Sequence, residues 1–380
     1  MSEPLIQGCV AKNCHPAGCQ RAVEAQIAYV RQQPRFAAPK RVLILGASSG
    51  FGLAARISLA FGGGAETLGV AFERAPSETL PGSAGWHNQQ AVTRLANAAG
   101  VSAESRFGDA FAPGLQQEVI DWIRAQWGQI DLLVYSLATG VRIMADGQRY
   151  QSVLKSMGHP IQGWGLDLGQ QQLIRQEMPV ASAEEVLATE RVMGGEDWQN
   201  WVLQLQQAGC LAPGFRTLSF SYEGPALTHA WYRDGTLGHA KQHLQQTAAH
   251  LRPLLSSVGG DARAVICKAL VTKASQVIPF LPVYLMLLMK VMKAKGLHEG
   301  CIEQMSRLFA DQLYGTQGVR ADSQGRWRLD ERELRPDVQQ EVLALRGVLS
   351  ADNFRELGDF SGLQQEFLRL NGFAWPEDGA

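Results

Sequence analysis

Apolar residues follow two alternating rhythms along the chain. Short apolar runs lie within Arg41–Leu45, Thr67–Phe72 and Ile130–Ala138, and between them apolar positions fall three or four residues apart. A brief continuous apolar run is how a strand buried on both faces reads, and the wider spacing marks an amphipathic helix laid over the sheet. The first such helix spans Arg21–Gln33, with Val23, Ile27 and Val30 on one side, and Pro34 and Pro39 mark a linker into the first strand. Further helices are predicted at Gln89–Ala98 and Leu115–Trp127, with strands near Ser105, at Arg216–Tyr222 and at Ala262–Cys267. This alternation predicts an α/β fold, a doubly wound parallel sheet of Rossmann type with helices on both faces.

Several stretches depart from the rhythm. Residues 1–20 are rich in Gly and Cys and read as loop. Residues 139–180 read as an insertion containing a β-hairpin, and Ser182-Ala-Glu-Glu185 is a capping box that opens a helix. Gly194-Gly-Glu-Asp-Trp198 opens another helix, reaching Leu205. The apolar segment 277–292, interrupted by Pro279 and Pro282, is too short to span a bilayer. It suits either a core helix or the wall of an acyl tunnel. From Ala321 the chain reads as mostly helical, without a chemical motif. These parts compose one extended domain: a cap segment at 1–40, a core at 41–320 and a helical C-terminal extension at 321–380.

Charge narrows the function classes. Lys plus Arg (35) and Asp plus Glu (36) leave a formal charge of −1, so no basic excess points to nucleic acid. The N-terminus lacks a charged segment followed by an apolar one, and with no spanning helix the expected location is the cytoplasm, without membrane insertion. Cys9, Cys14 and Cys19 flank His15, but no Cys-x-x-Cys pair occurs among the 6 cysteines, so reduced structural cysteines are expected rather than metal ligands. Lys290, Lys293 and Lys295 form a small basic cluster that reads as a solvated face.

Two constellations carry chemistry. Gly46-Ala-Ser-Ser-Gly50-Phe51-Gly52 joins a strand to a helix, with glycines spaced Gly-x3-Gly-x-Gly as in short-chain dehydrogenases. Such a turn lets a pyrophosphate approach the backbone at a helix N-terminus. Glu73, ending the second strand, would accept from both adenosine ribose hydroxyls and repel an additional phosphate, favouring NADH over NADPH. Asp109 lies where an adenine amino group would fall, and Leu137 and Ala138 end a buried strand that would face the cofactor. The second constellation is Tyr232 and Lys241. Nine positions apart, they would occupy opposite faces of one regular helix. Asp234-Gly235-Thr236 breaks that regularity, so Tyr232 is expected on a loop and Lys241 on the following helix, with Thr236 as N-cap. The phenol would deliver a proton, while the ammonium holds the cofactor ribose and lowers the phenol's pKa.

These residues resemble those of the FabV-type enoyl-acyl-carrier-protein reductases and the related trans-2-enoyl-CoA reductases. The likeness runs through His15-Pro-Ala-Gly-Cys19, the glycine turn, Gly108-Asp-Ala110, Tyr135-Ser-Leu-Ala138 and Met193–Trp198. It continues through Ser221–Pro225, Tyr232-x8-Lys241, Lys268-Ala-Leu-Val-Thr272 and Gly296–Gln304. The resemblance implies a monomeric NADH-dependent reductase acting on an enoyl thioester carried by acyl carrier protein, or alternatively by CoA. It implies Tyr232 as proton donor, Lys241 as cofactor ligand and support, and Tyr222 at the thioester carbonyl. Gly46, Ala47, Ser48, Ser49, Gly50, Phe51, Gly52, Phe72, Glu73, Asp109, Ala110, Leu137, Ala138, Leu270, Val271 and Thr272 would hold the cofactor. Phe51 stands where the family usually has tyrosine, and Lys273 where glutamine is common. A silent NAD-binding sensor is the alternative from another class, and it would require loss of Tyr232 or Lys241.

Overall fold

Parallel strands of one seven-stranded sheet organise the molecule: β1 Arg41–Leu45, β2 Glu66–Ala71, β3 Ala103–Phe107, β4 Ile130–Tyr135, β5 Leu211–Ser221, β6 Asp261–Ile266 and β7 Trp327–Arg328. The computed structural model describes residues 3–375, so Met1, Ser2 and the last five residues of the expected C-terminal extension lie outside the described residues. Across the sheet the order is β7-β6-β5-β4-β1-β2-β3. The order therefore reverses between β1 and β4, which pair from Val42–Leu132 to Leu45–Tyr135. A crevice opens beyond the carboxyl ends of strands at such a switch point.

Alternation within β1 shows why both faces stay dry. Val42 and Ile44 join Leu53, Ala54 and Ile57 in one core, whereas Leu43 and Leu45 join Val119, Ile123, Trp198 and Trp201 on the other face. A third core surrounds the helix Leu281–Ala294, whose residues Leu281–Met289 are buried with Val338, Val342, Leu363 and Phe367 of two C-terminal helices. The apolar stretch is thus a core helix. Two of the lysines behind it are ion-paired: Lys293 with Asp359 (2.7 Å), and Lys295 with Asp337 (3.3 Å) and Glu341 (2.9 Å).

The loop expected at residues 1–20 is replaced by structure. Ile6–Gln7 pairs with Val10–Ala11, and the first helix starts at Pro16 and runs to Gln32. Proline suits the first helical position because it lacks only an N–H that would have no partner there, and His15 Nδ1 caps the Gly18 amide at 3.0 Å. Buried Cys14 and Cys19 flank this start as a hydrophobic staple, and all the cysteines are free. No metal-binding cluster exists among the described residues. The insertion holds two hairpins, Val141–Ile143 with Arg149–Gln151 and Ile161–Asp167 with Gln172–Met178. The box at Ser182 forms as expected, with Glu185 bonding back to the Ser182 amide. Strand β7 is an addition to the predicted sheet. It adds the pairs Val265–Trp327 and Ile266–Arg328 at the edge.

Candidate active site

At the switch point the glycine turn is shaped by close backbone approach. Gly46 has φ +80°, and a Cβ there would lie 2.1 Å from the Ser136 carbonyl oxygen. A Cβ on Gly52 would lie 2.2 Å from the Gly46 carbonyl. Only glycine fits either position. The turn is pinned from below by Asn88 Nδ2 on the Ser48 carbonyl (2.9 Å) and by Gln89 on the Ala47 carbonyl. Gln89 in turn takes a hydrogen bond from Arg56, a wholly buried guanidinium that also donates to Thr67 Oγ1 and the Glu104 carbonyl. Burial among neutral acceptors lowers the Arg56 pKa to about 9.

Several features of this turn fit a dinucleotide. Ser49 is the N-cap of the helix Gly50–Ile57, yet its hydroxyl accepts no N–H from the first turn, so those donors have no side-chain partner. Beyond a Cβ placed on Gly50 the first heavy atom is Thr272 Cγ2 at 3.5 Å, so the loop after β6 faces the glycine turn. Glu73 sits at the end of β2 and accepts from Ser48 Oγ (2.8 Å). Phe72 beside it is 82% exposed, an aromatic face left open to solvent. Asp109 Oδ1 accepts the Phe111 amide (2.9 Å), and Ala110 is buried. Leu137 borders Gly46, while Ala138 is exposed. Leu270 and Val271 are buried, and Thr272 caps the short helix Lys273–Gln276. Phe51 packs against Phe220, ring centroids 5.5 Å apart. The expected cofactor residues thus lie in the loops that leave the carboxyl ends of β1, β2, β3, β4 and β6.

Tyr232 lies in a turn and Lys241 on the helix Thr236–Leu254, as the broken regularity predicts. The N-cap, however, is Gly235 rather than Thr236. The Thr236 hydroxyl is committed elsewhere, donating to the Val153 carbonyl (2.6 Å) and accepting the Lys155 amide (3.2 Å). Capping falls instead to the Tyr232 carbonyl, which accepts the amides of Gly235 (3.2 Å) and Gly238 (3.1 Å). Lys241 is one turn beyond Gly238 on the same helical face, so the helix that carries the lysine is bonded directly to the tyrosine's main chain. A Cβ on Gly238 would lie 2.1 Å from the Arg233 carbonyl.

Electrostatics at this pair correct one expectation. The Tyr232 phenol, 4% exposed, has a pKa raised by burial and not lowered by Lys241. The same desolvation brings the Lys241 pKa down to about 8. Neither polar end has a hydrogen-bond partner among the described residues. Burial alone sets the direction for Tyr232, and the phenol is held protonated.

Comparison with known proteins accords with this crevice. Residues 80–314 match the catalytic region of trans-2-enoyl-CoA reductase, residues 1–78 match the NAD(P)H binding domain of that enzyme, and residues 321–377 match an enoyl reductase FAD binding domain. The chain belongs to the trans-2-enoyl-CoA reductase family. An enoyl-[acyl-carrier-protein] reductase [NADH] 2 of Photobacterium profundum is 48% identical over 98% of this chain and 94% of its own length. An enoyl-[acyl-carrier-protein] reductase [NADH] of Vibrio cholerae is 49% identical over 99% and 95%. The crystal structure of the Clostridium acetobutulicum trans-2-enoyl-CoA reductase with NADH superposes with a TM-score of 0.97 at 40% identity, covering 100% of this chain and 96% of that one. The Treponema denticola enzyme with NAD gives a TM-score of 0.94 at 42% identity, covering 100% and 96%.

A flavin does not fit the C-terminal segment. The only strand in the described residues 321–375 is β7, no glycine follows it before the helix Pro336–Gly347, and that helix begins behind a cation, Arg335. A phosphate-binding strand–turn–helix is therefore missing from this segment.

The same C-terminal segment supplies what sequence reasoning missed. Glu333, fully buried, accepts from the hydroxyls of Tyr222 (2.9 Å) and Tyr284 (2.7 Å). Tyr222 meets Tyr232 edge to face, ring centroids 4.8 Å apart. Glu333 is one acid beside Asp330 and Glu331 in a polar turn, which carries no local signal that singles it out.

Proposed function

We propose that this chain reduces the trans-2 double bond of an enoyl thioester on acyl carrier protein, with NADH as reductant. The observation that carries the reading is a buried, protonated, unpartnered phenol tied through its main chain to a lysine helix that packs on β5 and β6 of the sheet bearing the glycine turn. When bound, the nicotinamide supplies a hydride to the β-carbon. The electron pair of the double bond then moves onto the thioester oxygen as an enolate. Tyr232 hydrogen-bonds that oxygen and delivers the proton which completes the saturated α-carbon. Lys241 holds the cofactor ribose and offsets the phenolate left on Tyr232. Glu73 receives the adenosine ribose and disfavours NADPH. Trp231 packs edge-on to Tyr232 (ring centroids 6.4 Å) and to Phe280 (6.2 Å), an apolar surround for the phenol ring.

A CoA thioester is the second reading, favoured by the solved trans-2-enoyl-CoA reductases that superpose on the whole chain. The same reading takes the chain as one extended domain working as a monomer in the cytoplasm, and gel filtration at the mass of one chain checks its monomeric state. No helix of the described residues is long and apolar enough to cross a membrane.

The test follows NADH absorbance with one trans-2-enoyl group carried on acyl carrier protein and on CoA, then repeats both with NADPH. Faster oxidation with the carrier protein supports the first reading, and faster oxidation with CoA supports the second. Tyr232→Phe should lower turnover by about a hundredfold or more while NADH still binds. Near-normal turnover in that variant would refute Tyr232 as donor.

A further inference from the structure

One buried carboxylate outside the cofactor crevice gathers donors from three elements around Tyr232. Glu333 belongs to the turn at 331–334 that follows β7. Its Oε1 accepts from Tyr222 at the exit of β5 and from Tyr284 in the helix Leu281–Ala294, and its Oε2 accepts the Ala269 amide (2.7 Å) beyond β6. Gln339 Nε2 donates both to the Tyr284 oxygen (3.1 Å) and to the Glu333 carbonyl (2.6 Å). Lys268, buried alongside, donates its ammonium to the carbonyls of Ala269 (2.8 Å) and Glu299 (3.3 Å); burial raises the Glu333 pKa, and the Lys268 charge and the donated hydrogen bonds oppose that rise. The Tyr222 hydroxyl donates to Oε1 while the Ala269 amide occupies Oε2, and an ionised carboxylate, which only accepts, holds the Tyr222 proton on Glu333. The Tyr222 oxygen can then offer only lone pairs to anything else, and cannot donate to an oxyanion without breaking a charge-assisted bond.

We infer that Glu333 is a positioning residue for the reduction: it turns the Tyr222 proton away from the substrate, so that Tyr222 steadies the Tyr232 ring and Tyr232 alone donates to the enolate oxygen. This rests on Tyr232 being the proton donor. It narrows the role expected of Tyr222 at the thioester carbonyl from donor to support. It also gives the C-terminal segment a place in the reaction, through a side chain 111 residues from its partner Tyr222.

A double-mutant cycle on the full chain tests the inference, reading kcat with saturating enoyl thioester, NADH affinity by fluorescence, and folding by circular dichroism. Glu333→Gln keeps the size but can no longer accept from Tyr222 and the Ala269 amide together. It should lower kcat about tenfold in the native background and less than about twofold in Tyr222→Phe. Tyr222→Phe alone should lose no more than about tenfold, against about a hundredfold or more for Tyr232→Phe. Equal losses from Glu333→Gln in both backgrounds would mean a general structural clamp and overturn the inference. A Tyr222→Phe loss matching that of Tyr232→Phe would overturn it too. If Glu333→Gln does not fold, Tyr284→Phe takes its place in the cycle. It should cost about threefold in the native background and nothing measurable in Tyr222→Phe, and equal costs overturn the inference. Near-normal activity in Tyr232→Phe refutes the donor assignment itself, whereas an inactive Tyr232→Phe with additive Glu333 losses refutes only the part given to Glu333.

Discussion

Gly238→Ala isolates the link between the catalytic turn and the lysine helix with one added carbon. That carbon would lie 2.1 Å from the Arg233 carbonyl oxygen and 2.5 Å from its carbonyl carbon. Close C···O contacts in proteins begin at about 3.3 Å. The Arg233 backbone must therefore retreat by about an ångström, and it is covalently joined to Tyr232, whose carbonyl caps the same helix. Overpacking of this kind costs about 1–3 kcal/mol. Alanine returns up to about 1 kcal/mol of helix propensity. A net loss of about 1–2 kcal/mol is expected. An ångström of misplacement at a proton donor also lowers turnover by about ten- to a hundredfold. Urea unfolding measures the first effect and steady-state NADH oxidation the second. Gly114→Ala is the control, because no heavy atom lies within 4 Å of its added carbon. It should leave turnover unchanged and stabilise by less than about 1 kcal/mol. If Gly238→Ala unfolds at the native urea midpoint and turns over within about twofold of the native enzyme, the capping argument is wrong.

Three further outcomes follow from the site. Lys241 has a pKa lowered to about 8, so its charge is lost as pH rises through that value; KM for NADH should climb above about pH 8, and Lys241→Arg should move the climb to higher pH. Glu73→Ala removes the carboxylate that accepts from Ser48 and should raise the NADPH-to-NADH ratio of kcat/KM by about tenfold or more; an unchanged ratio would remove Glu73 from cofactor choice. Asp197, buried beside Tyr135, has a pKa raised by desolvation to about 7. The native state therefore binds more protons than the unfolded chain between about pH 4 and 7, so this group's contribution to stability falls as pH rises across that window. Asp197→Asn should flatten that slope, seen as melting temperature against pH, and a parallel slope in the variant would exclude Asp197 as its source.

The crevice was legible because its signals are local. A strand, three glycines and a helix are contiguous, and the requirement at Gly46 and Gly52 is a backbone one that glycine alone meets. Asp234-Gly235 marks the break that puts Tyr232 on a turn and Lys241 on a helix. The doubly wound sheet was legible from apolar runs for the same reason, since burial on both faces leaves its trace strand by strand. Contacts between distant segments decided the rest. Thr236 has the chemistry of an N-cap, but Val153 and Lys155 of the insertion occupy its hydroxyl. Strand β7 is two residues, Trp327 and Arg328, that become a strand only against β6. Tyrosine and lysine are visible in the sequence, but desolvation depends on what packs around them, and burial raised the phenol's pKa where charge alone would have lowered it. Glu333 meets Tyr222 only because the chain returns to the β6 edge. Backbone conformation is written in neighbouring residues; dielectric, hydrogen-bond partners and the direction of a shared proton arise only once the chain has folded.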